Sequence, residues 1–274
     1  MAARKRARWN ELTTARPPRK IVADRIDQDR RGGRFPHGRT SNWPPTHTTL
    51  ARTPSVQRHT IMIDPTYEEG NIPYGDDWQS AAEVAAWVEA ADRKRPWRAK
   101  VRDCIAGHVA ALPPSARVLE LGSGPGLLAE CVLQHCPRLA SYTLLDFSTH
   151  MLSNSRERLA RFPSARFVLA SFKSPDWVEH VGGPFDCVVS MQAVHELRNK
   201  RHAPNLYRQI YQVTAESGRI LICDHVPFDD SARSIALYMT EEEQLRALSS
   251  AGFESPQTVL SLNGLLLYAC EKAR

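Results

Sequence analysis

Between residues 76 and 112 apolar residues recur every three or four positions, in DDWQSAAEVAAWVEAADRK and in RAKVRDCIAGHVAAL, with Pro96 between the two stretches. That period predicts two helices. After Pro113-Pro114 the period changes. Short apolar runs, RVLEL, YTLLD, ARFVLA, FDCVVSM and GRILICDHV, alternate with longer amphipathic segments, among them LLAECVLQH, STHMLSNSRERLARF and PNLYRQIYQVTA. The runs are mainly apolar without a polar alternation, as strands buried on both faces would be. Strand and helix in regular alternation predict an α/β fold with a doubly wound, mostly parallel sheet.

Residues 240–274 read differently. Thr240 and Glu243 stand at capping-box spacing before a helix that Gly252 closes. TVLSL and LLLYACE then flank Asn263-Gly264, the dipeptide of a tight type I′ turn. The expected sheet therefore has seven strands and ends in an antiparallel hairpin.

Residues 1–61 have no sustained apolar period and are rich in Arg, Pro and Thr. Such a stretch cannot bury enough surface to offset its ordering entropy, and it is expected to be a disordered basic leader. Three readings stay open for it: a solvated tail, translation from upstream of a natural start at Met62, or a targeting or nucleic-acid-binding arm. The expected organisation is thus 1–61 as leader and 62–274 as one domain, with 62–112 as a helical lid and 113–274 as the core.

Charge supports that division. The net charge is +6, yet residues 1–60 carry 14 basic against four acidic side chains, leaving 22 against 26 for the remainder. The body is mildly acidic, so no nucleic-acid footprint is expected on it. No apolar run reaches the roughly 18 residues a membrane helix requires, and none resembles a secretory signal. The six cysteines show neither C-x-x-C pairing nor zinc spacing, which predicts reduced thiols in a cytoplasmic protein.

The chemistry begins at VLELGSGPG. Gly122, Gly124 and Gly126 turn the chain after the first strand, but Leu127 occupies the last position of the dinucleotide fingerprint G-x-G-x-x-G. Asp146 ends the second strand at about the spacing expected of an acid on ribose hydroxyls. Glu120 is a carboxylate inside an apolar strand and needs a partner.

VLELGSGPG, LLDFSTHML, FDCVVSMQAVHEL, LYRQIYQVTAESGRILICDHV and TEEEQLRALSSAGF together resemble, in order, the motifs of the class I S-adenosylmethionine-dependent methyltransferases over residues 115–274. The resemblance implies that fold, S-adenosylmethionine as cofactor and methyl transfer by in-line displacement to a small-molecule acceptor. It implies that Glu120 supplies negative charge near the cationic aminoacyl moiety. Gly122, Ser123 and Gly124 would lie against the methionine part, and Asp146 would accept the ribose hydroxyls. Phe147 and Met151 would flank the adenine, Ser171 and Phe172 would stand beside it, and Gln192 would face the cofactor from the fourth strand.

For the acceptor the candidates are His195, as base or orienter with Glu196 as its partner, and the pair Asp224-His225. No metal is indicated. The family's N/D-P-P-Y/F loop for amine methylation is replaced by Ser190-Met191-Gln192-Ala193. Aromatic walls are expected from Tyr67, Tyr74, Trp78 and Trp87. Two alternatives remain: a non-catalytic methyltransferase-like module that binds cofactor or a partner, and a nicotinamide-dependent oxidoreductase.

Overall fold

The computed structural model describes residues 70–274; Tyr67 and the leader lie outside them. Two helices come first, α1 (Ala81–Lys94) and α2 (Arg98–Ala110). They are followed by β1 (Arg117–Leu121), α3 (Leu127–His135), β2 (Ser141–Asp146), α4 (Thr149–Arg158), β3 (Ala165–Leu169), α5 (Trp177–Val181) and β4 (Phe185–Met191). Two short 3₁₀ turns, Val194–Leu197 and Lys200–His202, lead into α6 (Ala203–Val213) and β5 (Thr214–His225). Then come α7 (Ala232–Leu237), α8 (Glu241–Ser250), β6 (Phe253–Leu262) and β7 (Leu265–Lys272).

The seven strands form one sheet in the order β3-β2-β1-β4-β5-β7-β6. The first five are parallel, and β7 runs antiparallel to both β5 and β6. Strand order reverses between β1 and β4, which opens a crevice at their carboxyl ends. The expected fold and its terminal hairpin are those seen. Asn263 and Gly264 both have positive φ, 48° and 76°, as the I′ turn demands.

Alternation along each strand feeds two cores. Leu119, Leu121, Leu145, Val188, Ile220 and Ile222 face α5, α6 and α8, with Trp177 and Tyr207 as fully buried centres. Val118, Tyr142, Leu144, Cys187, Val189 and Leu221 face α2, α3 and the end of α4. Glu120 falls on this second face, in register with Leu144 of β2. Side-chain caps fix several helix starts: Ser80 accepts from Glu83 N, Ser148 from Met151 N, and Thr240 with Glu243 completes the reciprocal capping box.

The structure departs from the sequence reading in four places. Val101, Ile105, Ala106 and Val109 of α2 are at most 1% exposed against the sheet, so this helix is a core layer where a lid was expected. β5 begins at Thr214, because Ser217 at φ 59° lets the chain bulge and continue the strand that the sequence pattern starts at Gly218. β6 reaches back to Phe253 through two irregularities in its pairing with β7. α5 and α7 are too short to show a helical period.

Candidate functional site

A cavity of about 310 Å³ lies at the carboxyl ends of β1, β2, β4 and β5. The glycine turn forms one wall. Gly122 N and Ser123 N donate to Leu145 O at 2.9 and 3.1 Å, which ties the turn to β2. Gly122 has φ +65°, and a Cβ there would lie 2.4 Å from the Cβ of Ala193. The turn therefore touches the loop after β4, and a glycine is required for both reasons. Gly124, at φ +53°, faces open space instead.

Two carboxylates flank this turn. Glu120 is 2% exposed and accepts from Tyr142 Oη at 2.9 Å. Burial pushes its carboxyl up to about 8, the tyrosine hydrogen bond opposes this, and the nearby Asp146 raises it further. Asp146 accepts from Gly124 N at 2.8 Å and from Ser148 N at 2.9 Å. Burial raises it to about 6 against the pull of the Ser148, Gly124 and Phe147 amides. Both acids are thus desolvated, and among the described residues no basic side chain is hydrogen-bonded to either, so each would gain from a cation placed beside it. Phe147, Met151, Ala170, Ser171 and Phe172 form an adjacent slot, chiefly apolar, with the Ser171 hydroxyl accepting from Lys173 N. Ser123 Oγ and Gln192 Oε1 are buried without a hydrogen-bond partner among the described residues.

The loop after β4 and the end of β5 form the opposite wall. Gln192, at φ +57°, donates its backbone N–H to Cys223 O at 2.7 Å. Asp224 receives both the His195 backbone N–H (2.9 Å) and its ring Nδ1 (2.7 Å). The other ring nitrogen lies 3.4 Å from Glu196 Oε1. Burial would lower this histidine, but the Asp224 and Glu196 carboxylates prevail and raise it to about 10. His195 is therefore an imidazolium with both nitrogens engaged, suited to orienting the wall and unsuited to taking a proton. Asp224 and Glu196 are correspondingly held low despite burial, which would raise them.

His225 is the contrasting ring. Burial, with the positive fields of His195, Arg95 and Arg98, pushes it down to about 4 in spite of Asp224. Its Nε2 lies 2.7 Å from Gln192 Nε2, so the amide donates to an unprotonated ring nitrogen. His195, His225 and Tyr238 pack as three rings with centroids 5.5 to 5.7 Å apart.

The cavity is covered by residues 70–80 and α1. Arg198 donates to Ile72 O at 2.9 Å and to Pro73 O at 2.6 Å, and Asn199 to Gly70 O at 3.0 Å. At the other end Ser148 Oγ donates to Trp78 O, and Gln79 donates to Phe147 O at 3.2 Å. Tyr74, Trp78 and Trp87 line the cavity, and the two tryptophans meet edge to face at 5.7 Å.

Of the residues named from the sequence, Glu120, Gly122, Ser123, Gly124, Asp146, Phe147, Met151, Ser171, Phe172, Gln192, His195, Glu196 and His225 all line this one cavity. Asp224 stands behind His195. Tyr142, Arg98, Arg198 and Tyr238 were not identified from the sequence. Tyr142 is recognisable only once β2 is laid beside β1, and the others have no motif. Among the described residues no cluster could hold a metal ion, and no helix is long and apolar enough to cross a membrane.

The fit to a nucleoside sulfonium can be tested on these atoms. A cation suits Glu120, the orphan hydroxyl and amide oxygen suit polar substituents, and the apolar slot suits a planar base. Residues 118–218 match the protein family described as "Methyltransferase domain". A demethylmenaquinone methyltransferase of Chlamydia trachomatis serovar L2 is 34% identical over 116 residues, 42% of this chain and 47% of the relative. The match thus spans about half the length of that curated protein. Human N-acetylserotonin methyltransferase, solved in complex with S-adenosylmethionine, superposes with a TM-score of 0.57 at 17% identity, covering 72% of this chain and 58% of that one. The N-methyltransferase NodS of Bradyrhizobium japonicum gives 0.51 at 14% identity over 66% and 98%. The chain has the fold of S-adenosylmethionine-dependent methyltransferases, and its residues 118–218 match the methyltransferase-domain family.

Proposed function

We propose that this protein transfers a methyl group from S-adenosylmethionine to a small-molecule acceptor by in-line displacement. The observation that carries the reading is the pair of buried carboxylates, Glu120 and Asp146, on either side of a glycine turn whose middle residue faces open space. Glu120 faces the positive aminoacyl portion, and Asp146 has lone pairs left for the ribose hydroxyls after two backbone amides. Phe147, Met151, Ser171 and Phe172 hold the adenine. Gly122, Ser123 and Gln192 border the methionine chain. When bound, S-adenosylmethionine supplies a methyl group already activated by its sulfonium. The protein's part is then to exclude water and align the acceptor.

His195 and Glu196 serve as the rigid, charged wall that positions the acceptor. His225, a neutral ring whose Nε2 accepts from the Gln192 amide, holds that amide toward the cavity. The cover is residues 70–97, with α2 belonging to the core. The unpaired cysteines support a reducing, cytoplasmic setting.

Calorimetric titration of S-adenosylmethionine and, separately, NADH into the full chain and into Asp146→Ala tests the cofactor assignment. Micromolar binding of S-adenosylmethionine alone, lost in the variant, is expected. Binding of NADH in its place would overturn the reading.

A further inference from the structure

Arg98 opens α2 and is 7% exposed, a buried guanidinium on the cavity wall. Its charge lies 5.3 Å above the Trp87 ring. Its Nε is buried without an acceptor, and among the described residues the side chain makes no hydrogen bond or ion pair. The usual partners are committed elsewhere. Asp92 is held by Arg102 through two hydrogen bonds of 2.7 and 3.0 Å. Glu120 is taken by Tyr142, Asp146 by two backbone amides, and Glu196 by His195 and Arg198. Arg95 and Arg233 line the same cavity, also without ion pairs among the described residues.

A guanidinium is rarely buried alone, because its desolvation is repaid only by an opposite charge with matched geometry. Burial lowers Arg98 to about 10 against the attraction of Asp92, whose hydrogen bonds go to Arg102, and leaves it cationic at neutral pH. Arg95 and Arg98 stand close enough to His225 to depress it, which places them at the end of β5. The cavity is therefore bipolar, with acids at the glycine turn and unspent arginines beside His225 and the tryptophans.

We propose that Arg98, assisted by Arg95 and Arg233, receives an oxyanion carried by the methyl acceptor, so that the acceptor is an anionic small molecule bearing a carboxylate or phosphate. The inference rests on the methyltransferase reading for which molecule fills the other end. A planar fork on an aromatic face suits bidentate capture of such a group. The one competing source of the same chemistry is the α-carboxylate of S-adenosylmethionine itself.

Two titrations on the full chain separate them. S-adenosylhomocysteine is titrated into wild type, Arg98→Gln and Arg98→Lys. Benzoate, phenyl phosphate and neutral benzamide are then titrated into each protein saturated with S-adenosylhomocysteine. The expected result is a change of less than about threefold in S-adenosylhomocysteine affinity. Benzoate or phenyl phosphate should bind wild type at low millimolar concentration, benzamide should not, Arg98→Gln should weaken the anion about tenfold to hundredfold, and Arg98→Lys should recover part of it. The proposal is overturned if no anion binds the saturated protein, or if anions bind Arg98→Gln as well as wild type. It is also overturned if Arg98→Gln instead weakens S-adenosylhomocysteine tenfold or more, which would assign Arg98 to the cofactor's carboxylate. If wild type binds no S-adenosylhomocysteine, the cofactor reading fails by itself, and the anion titrations on the ligand-free protein still decide the role of Arg98. Should Arg98→Gln melt early, Arg95→Gln with Arg233→Gln, both at less buried positions, gives the same readout with a smaller loss.

Discussion

Cofactor affinity should depend on pH through Glu120. With its carboxyl pushed up to about 8, Glu120 is mostly protonated at neutral pH in the ligand-free protein. A cationic cofactor pairs with the ionised form, so binding must expel a proton. At pH 7 only about one-tenth of the molecules hold the ionised carboxylate, and apparent affinity should sit about 1.4 kcal/mol below its value at pH 9. Asp146, raised only to about 6, is already ionised over this range and adds little. Titration of S-adenosylhomocysteine at pH 7, 8 and 9 should therefore show affinity rising about tenfold and then flattening. Buffers of different ionisation enthalpy should report close to one proton released at pH 7. Glu120→Gln should bind weakly with no slope, and Tyr142→Phe, which removes the side-chain hydrogen bond that Tyr142 gives to the carboxylate, should move the rise to higher pH. An equally steep slope in Glu120→Gln would refute the reasoning. For the ligand-free protein the sign is opposite: a carboxyl raised on folding stabilises at low pH, and that contribution disappears as pH climbs from the ordinary carboxylate range toward about 8.

Gly122→Ala should lose cofactor binding and about 2–4 kcal/mol of stability, since the new methyl would meet Ala193 Cβ at 2.4 Å with φ at +65°; urea melts and titration together check this, and unchanged binding would contradict it. His195→Gln should cost about 3–5 kcal/mol near pH 6.5 by leaving Asp224 unpaired. Because the histidine is raised to about 10, that stabilisation is present below pH 6.5 and fades toward pH 10, so the difference in melting temperature from wild type should shrink over that window. Arg198→Met should free residues 70–75, visible as faster amide exchange there and as a fall in turnover, because its guanidinium is hydrogen-bonded to Ile72 O and Pro73 O.

The sheet was legible because its strands announce themselves. Val118, Leu119 and Leu121 are buried on both faces of a parallel strand, and Asn263-Gly264 permits a tight reversal and little else. The same patterns misplaced α2: a helix that packs on a sheet and one that lies over a cavity have the same period, and only contact with the sheet at Val101 and Ile105 separates them. Glu120 could be marked as anomalous from its apolar neighbours. Its partner Tyr142 could not, since it comes from the next strand and shares a face only through the β1–β2 register. His195 and Glu196 were legible as neighbours in the chain, whereas the carboxylate that fixes the imidazolium, Asp224, is 29 residues away. Arg98 sits in a helix rich in basic residues, and nothing in that pattern tells a buried guanidinium from an exposed one.

β7 lies between β5 and β6 in the sheet although it follows both in the chain. While the polypeptide is being made, β5 leaves the ribosome with one edge of backbone donors and acceptors unsatisfied beside Ile220, Leu221 and Ile222. That edge stays open until Leu265–Lys272 has been added, about 40 residues later, or roughly 2–8 s at ordinary rates of elongation. In the finished sheet β6 pairs with β7 and, among the described residues, not with β5. A chain in which β5 has formed and β7 has not presents an apolar strand edge ready to pair with a neighbour's.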